Sequence, residues 1–320
     1  VGFQPLFFRI FEKIHKMKRI DFLKNGLTVG FVAGAAFTIN PLKRVNAAQA
    51  QEQYDMIAIR GGEAAAMFDR GIEEYGGIRR FVKKGQTVVV KPNIGWDASP
   101  ERAANTNPQL IKRIVQHCIT AGASAVYVFD HTCNEWSKCY ANSKIEAAAK
   151  EGGAKVVMAN TEKYYQPVKL AGGKKLTAAK VHELVLQSDV FINVPVLKSH
   201  GGANLTMSMK NLMGIVWDRG FWHANDLHQC IADFAAFRKP DLNVVDAYRV
   251  LKRNGPRGVS VDDVVTMKAQ LISTDMVAID AASCKLFGKE IAEVPHIGMA
   301  EKAGLGTSNL ESLRINRIVL

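Results

Sequence analysis

Short runs rich in Val and Ile alternate with longer stretches of helical periodicity after residue 50, and that alternation leaves few folds open. Runs at 56–59, 87–90, 125–129, 155–158, 190–194, 242–245 and 268–272 read as strands bounded by polar or turn residues. Periodic segments at 108–121, 143–151 and 226–238 read as helices. The first has Thr106 or Asn107 as its cap, Pro108 in its first turn and Gly122 at its end; the second closes at Gly152-Gly153, and the third stops before Pro240. Strands separated by helices predict an α/β fold, a mainly parallel sheet covered by helices. No linker, repeat or low-complexity tract divides residues 51–320, so a single α/β domain is expected there, with a bilobal division near residue 170 as the alternative.

The runs end alike. Polar groups follow nearly every one: Lys91-Pro92-Asn93, Asp130-His131, Asn193 leading to Lys198-Ser199-His200, Asp246, and Ser273-Thr274-Asp275. In open parallel sheets ligands bind beyond the carboxyl ends of the strands, so these groups are expected to converge. Turns are polar in any protein, and Ser273-Thr274-Asp275 before a helical pattern reads as a helix cap. Runs 87–90 and 190–194 both read as buried parallel strands, which places Lys91, Lys198 and His200 in one crevice, with Asp130 and Asp246 as the acidic partners that keep the cations from repelling one another.

The densest segment is Lys198-Ser199-His200-Gly201-Gly202, between a strand and a helix that carries Lys210 and Asn211. Backbone N–H groups, a helix end and cations suit an anion. Lys91, Asn93, Lys198, Lys210 and Asn211 are therefore the candidates to hold a carboxylate or phosphate, and His200 and Asp246 the candidates for proton transfer. For Lys210 and Asn211 a solvated helix face is the plain alternative. A metal site has two possible homes. His131 and Cys133 follow a strand in a loop that also holds Cys139, and His223, Asp226 and His228 lie in a Trp-rich cluster. The two histidines of that cluster are five residues apart, not the four that align ligands on a helix, and Asp226 serves equally well as a helix cap. The tryptophans suit the wall of an apolar pocket or the core. Nucleotide-binding patterns (G-x-x-x-x-G-K-[ST], G-x-G-x-x-G) and the G-x-S-x-G elbow are absent, as is any C-x-x-C pair of a zinc ribbon or ferredoxin-type iron–sulfur motif.

The formal charge of +12 is uneven. Residues 1–50 hold eight Lys/Arg against two acids, while the other 270 residues hold 34 basic and 28 acidic side chains with no long block of one sign. That distribution disfavours nucleic acid as a partner and leaves a small anionic ligand. The basic segment is ordered like an export signal: Met17-Lys18-Arg19-Ile20-Asp21-Phe22-Leu23-Lys24, an uncharged Gly- and Ala-rich run at 26–39 too short for a membrane span, then Ala48-Gln49-Ala50 as a cleavage site. It resembles a twin-arginine signal in which Ile20 replaces the second arginine, and it predicts a start at Met17, cleavage near Ala50 and a periplasmic or otherwise exported mature chain that engages the export machinery. An uncleaved interfacial anchor and Sec export are the alternatives. In an oxidising compartment Cys133 and Cys139 are candidates to pair, whereas Cys118 and Cys230 fall on helical patterns and belong to the core.

Taken in order, Val89-Val90-Lys91-Pro92-Asn93, Thr106-Asn107-Pro108, Asn193-Val194-Pro195, Leu197-Lys198-Ser199-His200, Lys210-Asn211-Leu212-Met213-Gly214, Asp226-Leu227-His228, Val245-Asp246, Asn254-Gly255-Pro256-Arg257-Gly258 and the segment from Asp275 to Asp280 resemble the domain-of-unknown-function 362 family, in its exported branch. The resemblance spans residues 54–307 and implies a fold and a site, not a reaction. Two readings follow for the crevice: an enzyme acting on a small anion, or an extracytoplasmic binding protein for a small ligand or cofactor without turnover.

Overall fold

Buried residues on both sides of the central strands force the sheet to be covered twice. The computed structural model describes residues 54–320; the export signal expected at 17–50, and residues 1–16 before it, lie outside them. Strands β1 (Met56–Arg60), β2 (Thr87–Pro92), β3 (Ala125–Val128), β4 (Lys155–Val156), β7 (Val190–Val194), β10 (Leu242–Leu251), β11 (Val264–Ser273) and β12 (Ile315–Val319) form one sheet in the order β12-β1-β11-β10-β7-β2-β3-β4. Two shorter strands, β8 (Val196–His200) and β9 (Asn204–Thr206), extend it, β8 along β10 and β9 along β8. A separate ribbon pairs β5 (Tyr165–Lys169) with β6 (Ala178–His182).

From β10 through β7, β2 and β3 to β4 every pairing is parallel, and β1 pairs β12 in parallel; β11 runs antiparallel to both of its neighbours. The fold is therefore α/β with a mixed, mostly parallel sheet. Side chains alternate across it. Val88, Val90, Ile192 and Val194 enter a core closed by the helices Ala64–Glu74, Pro108–Thr120 and Ile145–Glu151, while Val89 and Phe191 enter a second core closed by Leu227–Ala235, Met276–Phe287 and Pro295–Lys302. Each such side chain, fully removed from water, contributes about 1.5–3 kcal/mol of transfer free energy. The described residues make one compact unit.

Caps lie where the sequence puts them. Asn107 Oδ1 accepts from Gln109 N at the start of Pro108–Thr120, and Asp275 accepts from Val277 N and Ala278 N at the start of Met276–Phe287. Asp226 accepts from Gln229 N ahead of Leu227–Ala235. Three expectations change. The helix expected at 143–151 runs Ile145–Glu151, and a further helix, Trp136–Asn142, precedes it, the two parted at Lys144 with its φ of 62°. Cys139 therefore sits buried on a helix, not in a polar loop, and both it and Cys133 are free thiols. β10 continues past Val245 to Leu251, so Asp246 is mid-strand rather than at a strand end; its carboxylate accepts from Asn107 N at 2.7 Å and Tyr248 N at 3.0 Å, two bonds that offset part of the cost of burying it inside the sheet.

Candidate functional site

The register of the central strands sets the site. β2 pairs with β7 so that Lys91 stands opposite Asn193, and both project to the face of Val89 and Phe191. Lys91 is 1% exposed, and its Nζ lies 2.9 Å from Asp130 Oδ1 at the end of β3 and 3.0 Å from Asn211 Oδ1. Burial draws the Lys91 pKa down, with the Asp130 charge opposing it. Asp130 Oδ2 also accepts from Ile94 N at 2.6 Å. Gly214 lies directly over this pair: a Cβ there would come within 1.8 Å of Asp130 Oδ1 and 2.5 Å of Lys91 Nζ, so only glycine lets the backbone pass.

Among the described residues Lys198 and Lys210 lack such a counter-ion. Lys198, on β8, is 1% exposed and donates only to neutral oxygens, Asn93 Oδ1 at 3.2 Å and the Ala104 carbonyl. Burial brings its pKa down to about 7. Lys210 sits on the short helix Ser208–Asn211, 9% exposed, and among the described residues makes no hydrogen bond or ion pair; burial brings it down to about 8. What holds that helix in place is a buried polar network. Asp280 accepts from Ser208 N at 2.7 Å and Met209 N at 3.0 Å, and burial pushes its pKa up to about 7 against those two bonds. Asn193 donates to Ser208 O and Asn243 Oδ1, both at 3.0 Å, and Asn211 donates to Asn193 Oδ1 at 2.9 Å. Thr106 joins the strand ends, its Oγ1 donating to Val194 O and accepting from Asn93 N, both at 2.8 Å.

The buried lysines face a cleft of about 1180 Å³ beyond the carboxyl ends of β2 and β3. Lys91, Asn93, Lys198, His200, Lys210 and Asn211 all lie on its wall, as do His131, Cys133 and His223 from the metal candidates. Arg219, Gly214 and the Trp217 and Trp222 rings join them, with the β5–β6 ribbon along one side. Trp222 Nε1 is buried without a partner among the described residues. The Lys180–Glu162 pair on the rim neutralises itself, as Lys91 and Asp130 do within. Lys198, Lys210 and Arg219 then face Asp218 alone, so the lining carries an excess of positive charge.

Three candidates lie elsewhere. Asp246 is off the cleft, fixed by Asn107 N and Tyr248 N, and its pKa is pushed up to about 6 by burial. Asp226 caps Leu227–Ala235, and His228 Nδ1 meets His296 Nδ1 at 2.9 Å. Neither lines the cleft. Among the described residues no group of three or more His, Cys, Asp and Glu side chains is arranged to hold a metal ion.

The histidines of the cleft differ in tautomer. His200 Nδ1 accepts from Gly202 N at 3.1 Å and Ala203 N at 3.0 Å, and burial with the neighbouring lysines lowers its pKa to about 3. Its neutral ring therefore carries the proton on Nε2 and offers a donor, not a base. His131 is the reverse. Its Nδ1 meets the Val216 carbonyl at 3.0 Å, so that nitrogen holds the proton and Nε2 is the acceptor; the ring stacks on Trp217 at 5.0 Å. Arg219 and Asp280 were not among the site candidates, and Asp130 entered only as an acidic partner for the cations. Asp130 and Arg219 had a signal, a strand end and a Trp/His cluster, while Asp280 had none beyond a helix pattern.

The chain is an α/β protein with a cation-lined cleft beyond the carboxyl ends of its parallel strands. Within that class the chain belongs to the family described as domain of unknown function, DUF362, whose profile matches residues 88–285. That span contains every residue of the cleft lining, from Lys91 to Pro256. A curated relative, thylakoid-associated protein sll1697 of Synechocystis sp., is 26% identical over 254 residues, covering 75% of each chain. Among solved structures, the lactate racemase apoprotein from Thermoanaerobacterium thermosaccharolyticum superposes with a TM-score of 0.45 at 12% identity, over 72% of this chain and 56% of that one. A Thermotoga maritima protein gives 0.47 at 9% identity, over 70% and 59%. The chain thus spans somewhat over half the length of those two proteins. No helix of the described residues is long and apolar enough to cross a membrane.

Proposed function

We propose that the cleft binds an organic carboxylate or phosphate. The observation that carries this reading is Lys210, a nine-tenths buried ammonium on the cleft wall with no partner among the described residues. A buried cation without a counter-ion is costly, and an incoming anion removes that cost. Arg219 and Lys198 add charge, and the His200 Nε2–H and the unpaired indole N–H of Trp222 add neutral donors. Turnover, rather than binding alone, is favoured by Lys198: an amine brought to about 7 exchanges protons readily at neutral pH, and His131 Nε2 is an acceptor on the same wall. We also propose that residues 17–50 direct export, on the order of the signal elements.

Calorimetric titration of phosphate, sulfate and a monocarboxylate into the full chain at pH 6.5 tests the binding reading. Saturable binding that weakens at least about tenfold in Lys210→Met supports it, since one charge-assisted contact contributes about 1.5–3 kcal/mol. Absence of binding by all three anions, or unchanged affinity in the variant, overturns it.

A further inference from the structure

We propose that Cys133 is a nucleophile of the cleft, acting on organic anions that carry an electrophilic carbon close to their charged group. The proposal rests on the anion-binding reading and adds a reacting atom to it. Cys118, Cys139, Cys230 and Cys284 are buried; Cys133 alone is exposed, and it lies on the cleft wall. Its backbone is pinned by donation from its N–H to Gly95 O at 2.8 Å. Arg219 Nη1 stands 3.6 Å from Cys133 Sγ, and the guanidinium is fixed there by the carbonyls of His131 at 2.8 Å and Thr132 at 2.7 Å. Those carbonyls belong to the two residues that precede the cysteine, so the loop that carries the sulfur also holds the cation beside it.

A second, independent feature points into the same space. The Lys210 ammonium, without a partner among the described residues, lines the cleft with Cys133, as does Lys198. A ligand whose carboxylate or phosphate lies against Lys210 and Arg219 holds its neighbouring carbon beside Sγ. The sulfur lone pair forms the S–C bond, the bond to the leaving group breaks with its electron pair, and the thiol proton passes to solvent. The cleft adds concentration and orientation of the anion. Cys139, the only other cysteine of this region, is directed at Gly95 O from inside its helix at 3.9 Å and takes no part.

Iodoacetate and iodoacetamide share a leaving group and differ in charge, which makes them the test. Alkylation rates at Cys133, read by peptide mass spectrometry on the native full chain, are compared as a ratio with the same ratio for glutathione. The proposal expects iodoacetate to be favoured at Cys133 by about tenfold or more over its ratio at glutathione, with the preference lost in high salt and in Lys210→Met. A ratio equal to that of glutathione, or a Cys133 that neither reagent labels, overturns it. Sulfate titration of Cys133→Ser separates the two readings. If the variant binds sulfate as the native chain does and the ratio is unenhanced, only the nucleophile is lost; if the native chain binds no sulfate and shows no enhancement, both readings fall.

Discussion

Replacing Lys210 with Met should make the protein more stable, and the gain should depend on pH. The Lys210 pKa falls from its ordinary value of 10.5 to about 8 on folding, because burial penalises its charge more than the surrounding groups reward it. Between those two values the folded chain binds fewer protons than the unfolded one, so this group makes stability rise with pH across that window. Below pH 8 the whole penalty is present, about 3 kcal/mol for a depression of that size at 1.36 kcal/mol per pH unit. Lys210→Met removes the penalty without breaking a hydrogen bond, since Lys210 has none among the described residues, and the thioether fills the same channel. In anion-free buffer at pH 7 the melting temperature should rise by about 5 °C, and the difference from the native chain should close as the pH approaches 10.5. Sulfate should then stabilise the native chain and not the variant. A variant that melts at or below the native temperature at pH 7, or a gain that is the same at pH 7 and pH 10, would refute the reasoning.

Three further outcomes follow from the same geometry. Asp130→Asn leaves Lys91 buried without its counter-ion and should cost about 3–5 kcal/mol in urea unfolding; a loss below 1 kcal/mol would contradict the pairing. Gly214→Ala forces a Cβ to within 1.8 Å of Asp130 Oδ1, so the cleft must distort; a soluble variant with native stability and native anion affinity would show that the backbone does not pass there. The Asp280 carboxyl, raised to about 7, lends stability at acid pH that is lost as the pH climbs from about 4 through 7; Asp280→Leu should therefore flatten that part of the stability profile, and an unchanged slope would remove Asp280 as its source.

Much of the frame was legible because it is local. The strands at 87–90 and 190–194 and the Asn107 and Asp275 caps follow from apolar runs and turn chemistry within a few residues. Lys91 stood out for the same reason, a cation closing a buried run. Other features depend on contacts between distant segments. Asp246 looked like a strand end since a charge interrupts the pattern, yet Asn107 N, from the start of another helix, neutralises the interruption. Lys198 and His200 looked like loop residues, but β9 and β10 supply the partners that make Val196–His200 a strand. Lys210 suited a solvated helix face until Asp280, on another helix, fixed the start of Ser208–Asn211 and buried it. His131 and His200 were equal as sequence letters; only the Val216 carbonyl and the N–H groups of Gly202 and Ala203 decide which ring accepts a proton and which donates one.

Proton uptake on sulfate binding tests the central claim most directly, because sulfate does not itself titrate between pH 6 and 9. Lys198 and Lys210 begin to lose their protons near pH 7 and 8 in the empty cleft, and an anion restores both. Calorimetry in buffers of different ionisation enthalpy should show uptake rising from near zero at pH 6 toward one proton or more at pH 9, with affinity falling over the same range. Sulfate binding with no proton uptake at pH 9, or an affinity independent of pH, would place the anion somewhere other than on these lysines.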